Sequence, residues 1–199
     1  MRRPDRALWR DAHTVGDLGL LTARWLEGTI DSQPGYEPSC GPDEETAELI
    51  GVLAQANRAG FLTATSQPGS GPDIGVDGAW WTQRAAVEGW IAPGLGRGGE
   101  LTTAAHEAGL LLITHPAHRR PRRGHGAAGG VVVTTRNGIA TTVLGRPAAQ
   151  SEVRFRWKEV ARPARQAVLA ATQITLAADA LGPHQRLWDV LEQWASPLA

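Results

Sequence analysis

The stretch NRAGFLTATSQPGSGPDIGVDGAWWTQRAAVEGWIAP, residues 57–93, organises the chain because it places two strand-like runs around a segment rich in turn-forming residues. Phe61 to Thr65 is short and β-prone and directly follows a helix-ending Gly60, which predicts a strand. Its predicted partner runs from Gln83 to Ile91. Residues 66–79 contain six Gly and Pro residues, and this composition predicts a mobile loop able to act as a lid.

Two helices are predicted before this stretch. The first begins at Thr14, where Asp17 three residues later completes a capping-box pattern and apolar residues follow at helical spacing. The second begins at the acidic residues 43–45 and ends at Gly60, because carboxylates favour a helix N-terminus and glycine favours its end. Residues 31–42 between them predict a flexible, turn-rich loop.

The second half of the chain predicts both strands and helices. Glu100 to Ala108 reads as a short helix, and Leu110 to His115 as a buried strand because its run is continuously apolar. The Asn137-Gly138 pair is the strongest hairpin signal in the chain and predicts antiparallel strands over Val131 to Val143. Charged and apolar residues alternate over Glu152 to Val160, which predicts a strand with one solvent-facing side.

The remaining segments complete the predicted fold. Residues 164–177 fit either a helix or a strand, and His184 to Ala195 predicts a final amphipathic helix. Residues 116–130 predict an exposed, flexible loop. Together these patterns predict a single α+β domain, with a mixed, mainly antiparallel sheet and helices packed on one face.

Composition favours a folded cytoplasmic protein. The 199 residues are 42% hydrophobic and include 8 tryptophans, which is enough to build a buried core. No apolar run approaches the roughly 18 residues of a membrane span, and no apolar segment follows the basic start, so neither a span nor a secretory signal is expected. The single cysteine, Cys40, predicts no internal disulfide, and no metal or cofactor is expected.

Charge is divided unevenly between the two halves of the chain. Residues 1–110 hold 8 Lys/Arg and 15 Asp/Glu, whereas residues 111–199 hold 12 and 5, although the net charge is zero. The simpler interpretation is that an acidic half packs beside a basic half. The alternative is an anion-binding face, which the preference for arginine over lysine would suit because guanidinium groups bind anions in a bidentate manner.

Four polar residues beside the predicted strand ends form the leading candidate site: Ser66, Gln67, Gln83 and Arg84. Amide and guanidinium groups can hold a phosphate, a carboxylate or a base edge by paired hydrogen bonds. The alternative is that the glutamines only tie down the loop. In a strand Arg84 would remain free for a ligand, so its truncation is expected to be nearly neutral for folding.

Catalytic candidates are weaker. Ser66 lacks a nucleophile-elbow context, and His115 is a candidate general base only because it ends a predicted strand. His106, His115 and His118 do not have the spacing of a helical zinc pair.

Two further function classes remain open. Residues 116–165 hold 11 basic and 2 acidic residues, including Arg119, Arg120, Arg122 and Arg123, and such a segment could contact nucleic-acid phosphates. A solvated surface loop is the alternative. A non-catalytic interaction module, which would use exposed tryptophans such as Trp80 or Trp81, is the third class. The leading hypothesis is a ligand-binding or enzymatic domain for a small polar, anionic molecule.

The phrase Asn-Arg-x-Gly-Phe-x-Thr-x-x-Ser-Gln-Pro-Gly, from Asn57 to Gly69, and the phrase QRAAVEG resemble an actinobacterial family described only as a domain of unknown function. The stretch LWRDAHTVGDLGLLTARWLEG near the N-terminus resembles it as well, so the likeness spans most of the chain. The resemblance implies membership of that family and assigns no reaction, cofactor or catalytic residue.

Overall fold

The chain folds into helices and antiparallel strands in this computed structural model, which describes residues 3–37, 40–94, 96–119, 121–122 and 129–196. The α-helices are α1 (Arg3–Asp11), α2 (Val15–Leu26), α3 (Ile50–Arg58), α4 (Arg97–Glu107), α5 (Gln150–Arg156), α6 (Arg162–Ala170) and α7 (Gln185–Ala195). Short 3₁₀ helices span Glu44–Leu49 and Ala117–Arg119. The strands are β1 (Phe61–Gln67), β2 (Ser70–Ile74), β3 (Trp80–Gln83), β4 (Ala86–Ile91), β5 (Leu111–His115), β6 (Val131–Arg136), β7 (Ile139–Leu144) and β8 (Thr172–Ala177).

The strands form two four-stranded antiparallel sheets, where the sequence predicted one. The first sheet has the order β1-β4-β8-β5 and the second has the order β2-β3-β6-β7. Helices α2 and α3 contact β1, and α4 contacts β5, so the first sheet is packed against helices. The predicted α+β class with antiparallel pairing is confirmed.

Residues 61–91 form one long, bent ribbon that crosses between the sheets. β1 pairs with β4 in the first sheet and β2 pairs with β3 in the second, and the two pairs are continuous in the chain. The ribbon bends where Gly69 meets Ala85. Gly69 has φ +83°, and a Cβ there would lie 2.7 Å from both the Ala85 nitrogen and the Gly182 carbonyl oxygen, so only glycine fits.

Two predictions about this ribbon need correction. Residues 66–79, expected to be a loop, contain β2 and end just before β3. Proline suits β2 because β2 is an edge strand, and its pairing with β3 is irregular between Ser70 and Asp73. The predicted strand from Gln83 to Ile91 is two strands in different sheets, since β3 ends at Gln83 and β4 begins at Ala86.

The predicted strand over Glu152 to Val160 is wrong, because this segment begins with helix α5. The Glu152 carboxylate accepts a hydrogen bond from the Ala149 backbone at 2.8 Å, which caps the first turn. Val153 and Trp157 are buried at 1% and 0% exposure, four positions apart on one helical face, while Phe155 is 71% exposed. The alternation of charged and apolar residues suggested a strand, whereas the buried residues follow the four-residue spacing of a helix.

Other predicted elements are confirmed. Thr14 and Asp17 form the capping box of α2, with reciprocal hydrogen bonds of 2.9 and 3.0 Å. Asn137 and Gly138 have positive φ and join β6 to β7, as a tight hairpin requires. The acidic start at residues 43–45 leads into a 3₁₀ helix before α3, and the ambiguous residues 164–177 divide into the end of α6 and β8. Helices α4 and α7 also form where predicted.

β5 forms as predicted, but it is not buried. It lies at the edge of the first sheet, where Leu111 is exposed at its start and His115 is half-buried at its end. Part of the predicted loop 116–130, residues 117–119, forms a 3₁₀ helix, while Arg120 and residues 123–128 lie outside the described part. Among the described helices none is long and apolar enough to cross a membrane.

Two apolar clusters stabilise the fold. The larger joins the helices to the first sheet and includes the fully buried Trp9, Phe61 and Trp157. The smaller contains Ala86, Val133, Leu144 and Ala177, so it joins the end of the first sheet to β6 and β7 of the second. The sheets are therefore held together by a small apolar contact as well as by the bent ribbon.

Candidate functional site

Three of the four predicted site residues lie around strand β6 and make structural contacts. The Gln67 side-chain oxygen accepts a hydrogen bond from the Thr134 hydroxyl at 2.6 Å. The Gln83 amide donates to the Glu45 carboxylate at 2.8 Å. Both partners are side chains outside the 66–79 segment, so neither of these bonds ties a glutamine to the backbone of the predicted loop in the way the alternative expected.

Arg84 is not free, contrary to the prediction from a continuous strand. Its Nε donates to the Val132 carbonyl at 3.0 Å, and its Nη1 donates to the Ala178 carbonyl at 2.6 Å. Its backbone nitrogen also donates, at 2.7 Å, to the carbonyl of Val133. Arg84 lies between β3 and β4, where the ribbon changes sheets, and its guanidinium replaces the ladder bonds that the bend interrupts.

Ser66 lies apart from the other three, in the wall of a pocket of about 210 Å³. Successive strand residues point to opposite faces, so Ser66 and its neighbour Gln67 diverge at the end of β1. Five segments line the pocket. They are α2 with Thr22, Trp25 and Leu26; the connection after α2 with Gln33, Gly35, Tyr36, Pro42, Asp43 and Thr46; α3 with Leu53; β1 with residues 63–66; and α5 with Arg156.

The pocket forms where an edge strand is irregular. β1 is the edge of the first sheet, and its register with β4 shifts between Thr63 and Thr65. The Ala64 carbonyl therefore faces away from β4 and accepts a hydrogen bond of 2.6 Å from Nη2 of Arg156. The bulge thus places a guanidinium at the wall of the pocket.

Arg156 is only partly satisfied. Its Nε atom is buried and has no hydrogen-bond partner within the described residues. Burial lowers the pKa of Arg156, and the negative Glu88 and the neighbouring Tyr36 partly offset this effect. An arginine side chain stays protonated in proteins, so the pocket wall carries the positive charge of a half-buried guanidinium.

Two further pocket atoms are buried without partners in the described part of the chain: Oε1 of Gln33 and Oγ1 of Thr22. Gln33 is 4% exposed and Thr22 is 1% exposed. Buried polar atoms in folded proteins are nearly always hydrogen-bonded, so their concentration around one cavity marks a place where a ligand or solvent is expected to bind.

Tyr36 and Asp43 form another part of the pocket wall. The Tyr36 hydroxyl donates to the Asp43 carboxylate at 2.8 Å. Burial, with a smaller effect from Asp43, raises the pKa of Tyr36 to about 12, so the phenol stays neutral. Gly35 brings this wall close to Arg156: its φ is +81°, and a Cβ there would lie 3.2 Å from the Arg156 Cγ.

His115 lies outside this pocket and has a structural contact. Its Nε2 is 2.8 Å from the Gly145 carbonyl, which can only accept, so Nε2 carries the proton. The Gly145 nitrogen donates to Glu88 at 2.8 Å, and the Gln173 amide oxygen accepts from the Ala148 nitrogen. We call His115, Glu88 and Gln173 the staple, because they fix the segment from β7 to α5 onto the first sheet.

The described residues hold no candidate metal cluster, and of the two tryptophans expected to be exposed only Trp80 is largely uncovered. No group of three His, Cys, Asp or Glu side chains there is placed to hold a metal ion. Trp80 is 53% exposed beside Ile74 at the tip of the second sheet. Trp81 is covered by the Arg136 guanidinium, 5.8 Å above its ring.

Sequence reasoning missed Arg156, Gln33 and Thr22. The only available signal for Arg156 was the four-residue spacing of Val153 and Trp157, which would have identified the helix and separated Arg156 from its exposed neighbours. Ala64 and Arg156 are 92 positions apart, and no local pattern predicts such a contact.

A comparison with known protein families gives a match over nearly all of this fold, including each segment that lines the pocket. The match covers residues 4–196, and the chain belongs to the family described as a domain of unknown function, DUF6919.

Proposed function

We propose that this protein binds a small, polar, anionic molecule in the pocket at Arg156. The proposal keeps the class of ligand expected from the sequence and retains Ser66 as a pocket residue. It replaces Gln67, Gln83 and Arg84 with Arg156, Gln33 and Thr22. The observation that carries it is the buried Nε of Arg156, which no described residue accepts from.

A buried guanidinium is costly unless its donors are satisfied. The Ala64 carbonyl accepts from Nη2 alone, which leaves Nε to donate elsewhere. Hydrogen bonds to charged groups contribute roughly 1.5–3 kcal/mol each, so an anion that accepts from Nε would be bound substantially by this one contact. Glu88 acts on Arg156 through its charge, and its Oε2 atom accepts hydrogen bonds from the Gly145 nitrogen and the Thr175 hydroxyl.

The proposal can be tested by thermal shift with acetate, phosphate and a panel of small carboxylates. A bound anion should raise the melting temperature of the full chain in a concentration-dependent manner. Arg156→Gln should abolish the rise. Arg154→Gln is the matched control, because Arg154 lies two positions away on α5 and is exposed. Equal responses of the two variants would contradict the proposal.

Nucleic-acid binding is a second candidate, favoured by one feature of the basic region 116–165. The carbonyls of Pro121 and Arg122 accept hydrogen bonds of 2.9 and 3.2 Å from the first turn of α5. This contact fixes Arg122 beside the helix that carries Arg154, and both arginines are exposed.

This candidate predicts salt-dependent binding. Fluorescence anisotropy with a labelled single-stranded RNA should show affinity that falls steeply between about 50 and 200 mM salt. Joint replacement of Arg122 and Arg154 by Gln should weaken it, whereas Arg156→Gln should not. Lack of binding at the lower salt concentration would remove this candidate.

A further inference from the structure

We infer that the ligand of the Arg156 pocket is a zwitterion of the free amino-acid type, with its carboxylate at Arg156 and its ammonium group toward Gln33 and Asp43. This inference rests on the proposed function and specifies its ligand. It follows from three properties of the pocket: the donor and acceptor character of the unpaired atoms, the opposite charges in its lining, and the cavity size.

The unpaired atoms differ in hydrogen-bonding character. Nε of Arg156 can only donate, whereas Oε1 of Gln33 can only accept. The Thr22 hydroxyl can do either. A simple anion would accept a hydrogen bond from Arg156, but it has no donor for the Gln33 oxygen, and the two acceptors would repel each other. A ligand that carries both an anionic acceptor and a strong donor satisfies both walls, and a carboxylate with a nearby ammonium group is the smallest such arrangement.

The charged groups of the lining follow the same division as the unpaired atoms, with one group that attracts an anion and one that attracts a cation. Arg156 is positive on the α5 side, and Asp43 contributes a carboxylate to the same pocket lining. The Tyr36 hydroxyl donates to Asp43 without neutralising it. Asp43 and Glu45 act on Tyr36 through their negative charges, and Arg156 acts on it with the opposite sign, so the acidic part of the pocket lies at Asp43, within reach of Arg156. A dianion entering here would be repelled, while an ammonium group would be attracted.

The cavity has the size of a free amino acid. Its volume is about 210 Å³. A water molecule occupies roughly 30 Å³ in the liquid, so the pocket holds on the order of seven non-hydrogen atoms. Trp25, Leu26 and Leu53 supply an apolar part of the lining, which suits a short aliphatic side chain. An amino acid of about the size of valine fits both the volume and the lining.

Titration calorimetry on the full chain tests this inference. The probes are L-alanine, L-valine and L-leucine, each compared with the carboxylic acid that lacks the amine; for valine that acid is isovalerate. Isobutylamine, which lacks the carboxylate, completes the valine set. At least one amino acid should bind about tenfold more tightly than its deaminated partner, as expected for one added charge-assisted hydrogen bond. Isobutylamine should bind more weakly than either.

Two variants distinguish the contribution of Asp43 from that of Arg156. Asp43→Asn should reduce or abolish the advantage of the amino acid over isovalerate, because it removes both the attraction for the ammonium group and the repulsion of the bare carboxylate; Asp43 is exposed, so the variant should fold. Arg156→Gln should abolish binding of both, and Arg154→Gln should change neither.

The outcomes are distinguishable. If the deaminated acids bind as tightly as the amino acids, the zwitterion inference is wrong while the anion pocket stands. If neither these probes nor acetate and phosphate bind, both proposals fail. Binding that survives Arg156→Gln would place the ligand elsewhere and overturn both.

Discussion

At the scale of single residues, two half-buried arginines have different roles because their donors have different partners. Arg84 donates from both Nε and Nη1 to backbone carbonyls. Arg156 donates from Nη2 to Ala64, and its Nε has no partner in the parts of the chain described. The first arginine is therefore satisfied by the fold, whereas the second is available to a ligand.

Truncation of Arg84 should consequently destabilise the protein. Arg84→Ala leaves the carbonyls of Val132 and Ala178 without their donors, and each unsatisfied buried group costs about 1–3 kcal/mol. We expect a loss of about 2 kcal/mol or more in the free energy of unfolding, measured by urea denaturation. Arg136→Ala, which affects an exposed side chain of the second sheet, should cost under about 1 kcal/mol. A nearly neutral Arg84→Ala would restore the interpretation of Arg84 as a ligand residue.

Asp77 should give the protein a distinct acid response. The indole of Trp81, then the backbone N–H of Ala79 and the side chain of Arg136, donate to its carboxylate and lower its pKa to about 2 from 3.8. Because the folded-state pKa is depressed, this stabilisation is present above the unfolded value and is lost as the pH falls from about 4 to about 2. An NMR titration should follow the Asp77 carboxyl and the Trp81 indole proton together. In Asp77→Asn this part of the pH dependence should disappear; an unshifted titration of Asp77 would contradict the assignment.

At the scale of elements, the bent ribbon depends on close backbone approach at one glycine. Gly69→Ala would place a methyl group 2.7 Å from two backbone atoms at a positive φ. Such strain and overpacking should cost at least about 2 kcal/mol, measured by thermal or urea unfolding. Gly71→Ala is the matched control, because a Cβ there meets no atom within 4 Å. It should change stability by about 0.5 kcal/mol or less, and equal effects of the two variants would remove the argument.

Local signals predicted elements well wherever turn chemistry fixed them. The capping residues Thr14 and Asp17 located α2, and Asn137-Gly138 located the β6–β7 hairpin. The sequence failed where long-range pairing decided the outcome. β2 contains Gly71 and Pro72, and it is a strand only because β3 pairs with it. The alternation before Trp157 predicted a strand, although burial of Val153 and Trp157 on one face made a helix.

The candidate site was predictable only in part, for the same reason. Ser66 was found because it follows a recognisable strand. Thr22, Gln33 and Arg156 come from distant segments, and the edge position of β1 brings them together. Gln67, Gln83 and Arg84 had the right chemistry, but the Thr134 hydroxyl, the Glu45 carboxylate and two backbone carbonyls already bond them.

At the scale of the whole molecule, the staple connects the first sheet to the segment between β7 and α5. Glu88 accepts hydrogen bonds from the Gly145 nitrogen and, at 2.7 Å, from the Thr175 hydroxyl. Glu88→Leu should leave both donors unpaired and cost about 2–3 kcal/mol in the free energy of unfolding. Glu88→Gln keeps an acceptor oxygen and should cost less. Hydrogen exchange should localise the loss to residues 144–149, and uniform exchange across the chain would contradict a local staple.

The tryptophan cluster beside the pocket gives the protein an intrinsic optical reporter. Trp157 follows Arg156 directly, and its ring centroid lies 6.3 Å from those of both Trp9 and Trp90. Rings held this close and at fixed angles absorb and emit as a coupled group, so a small rotation of α5 changes the near-ultraviolet circular dichroism and the emission spectrum. Occupation of the proposed site should therefore be visible by fluorescence and circular dichroism in the unlabelled protein, and Trp157→Phe should remove the part of the signal that comes from this group and leave the part from Trp25, which lines the pocket.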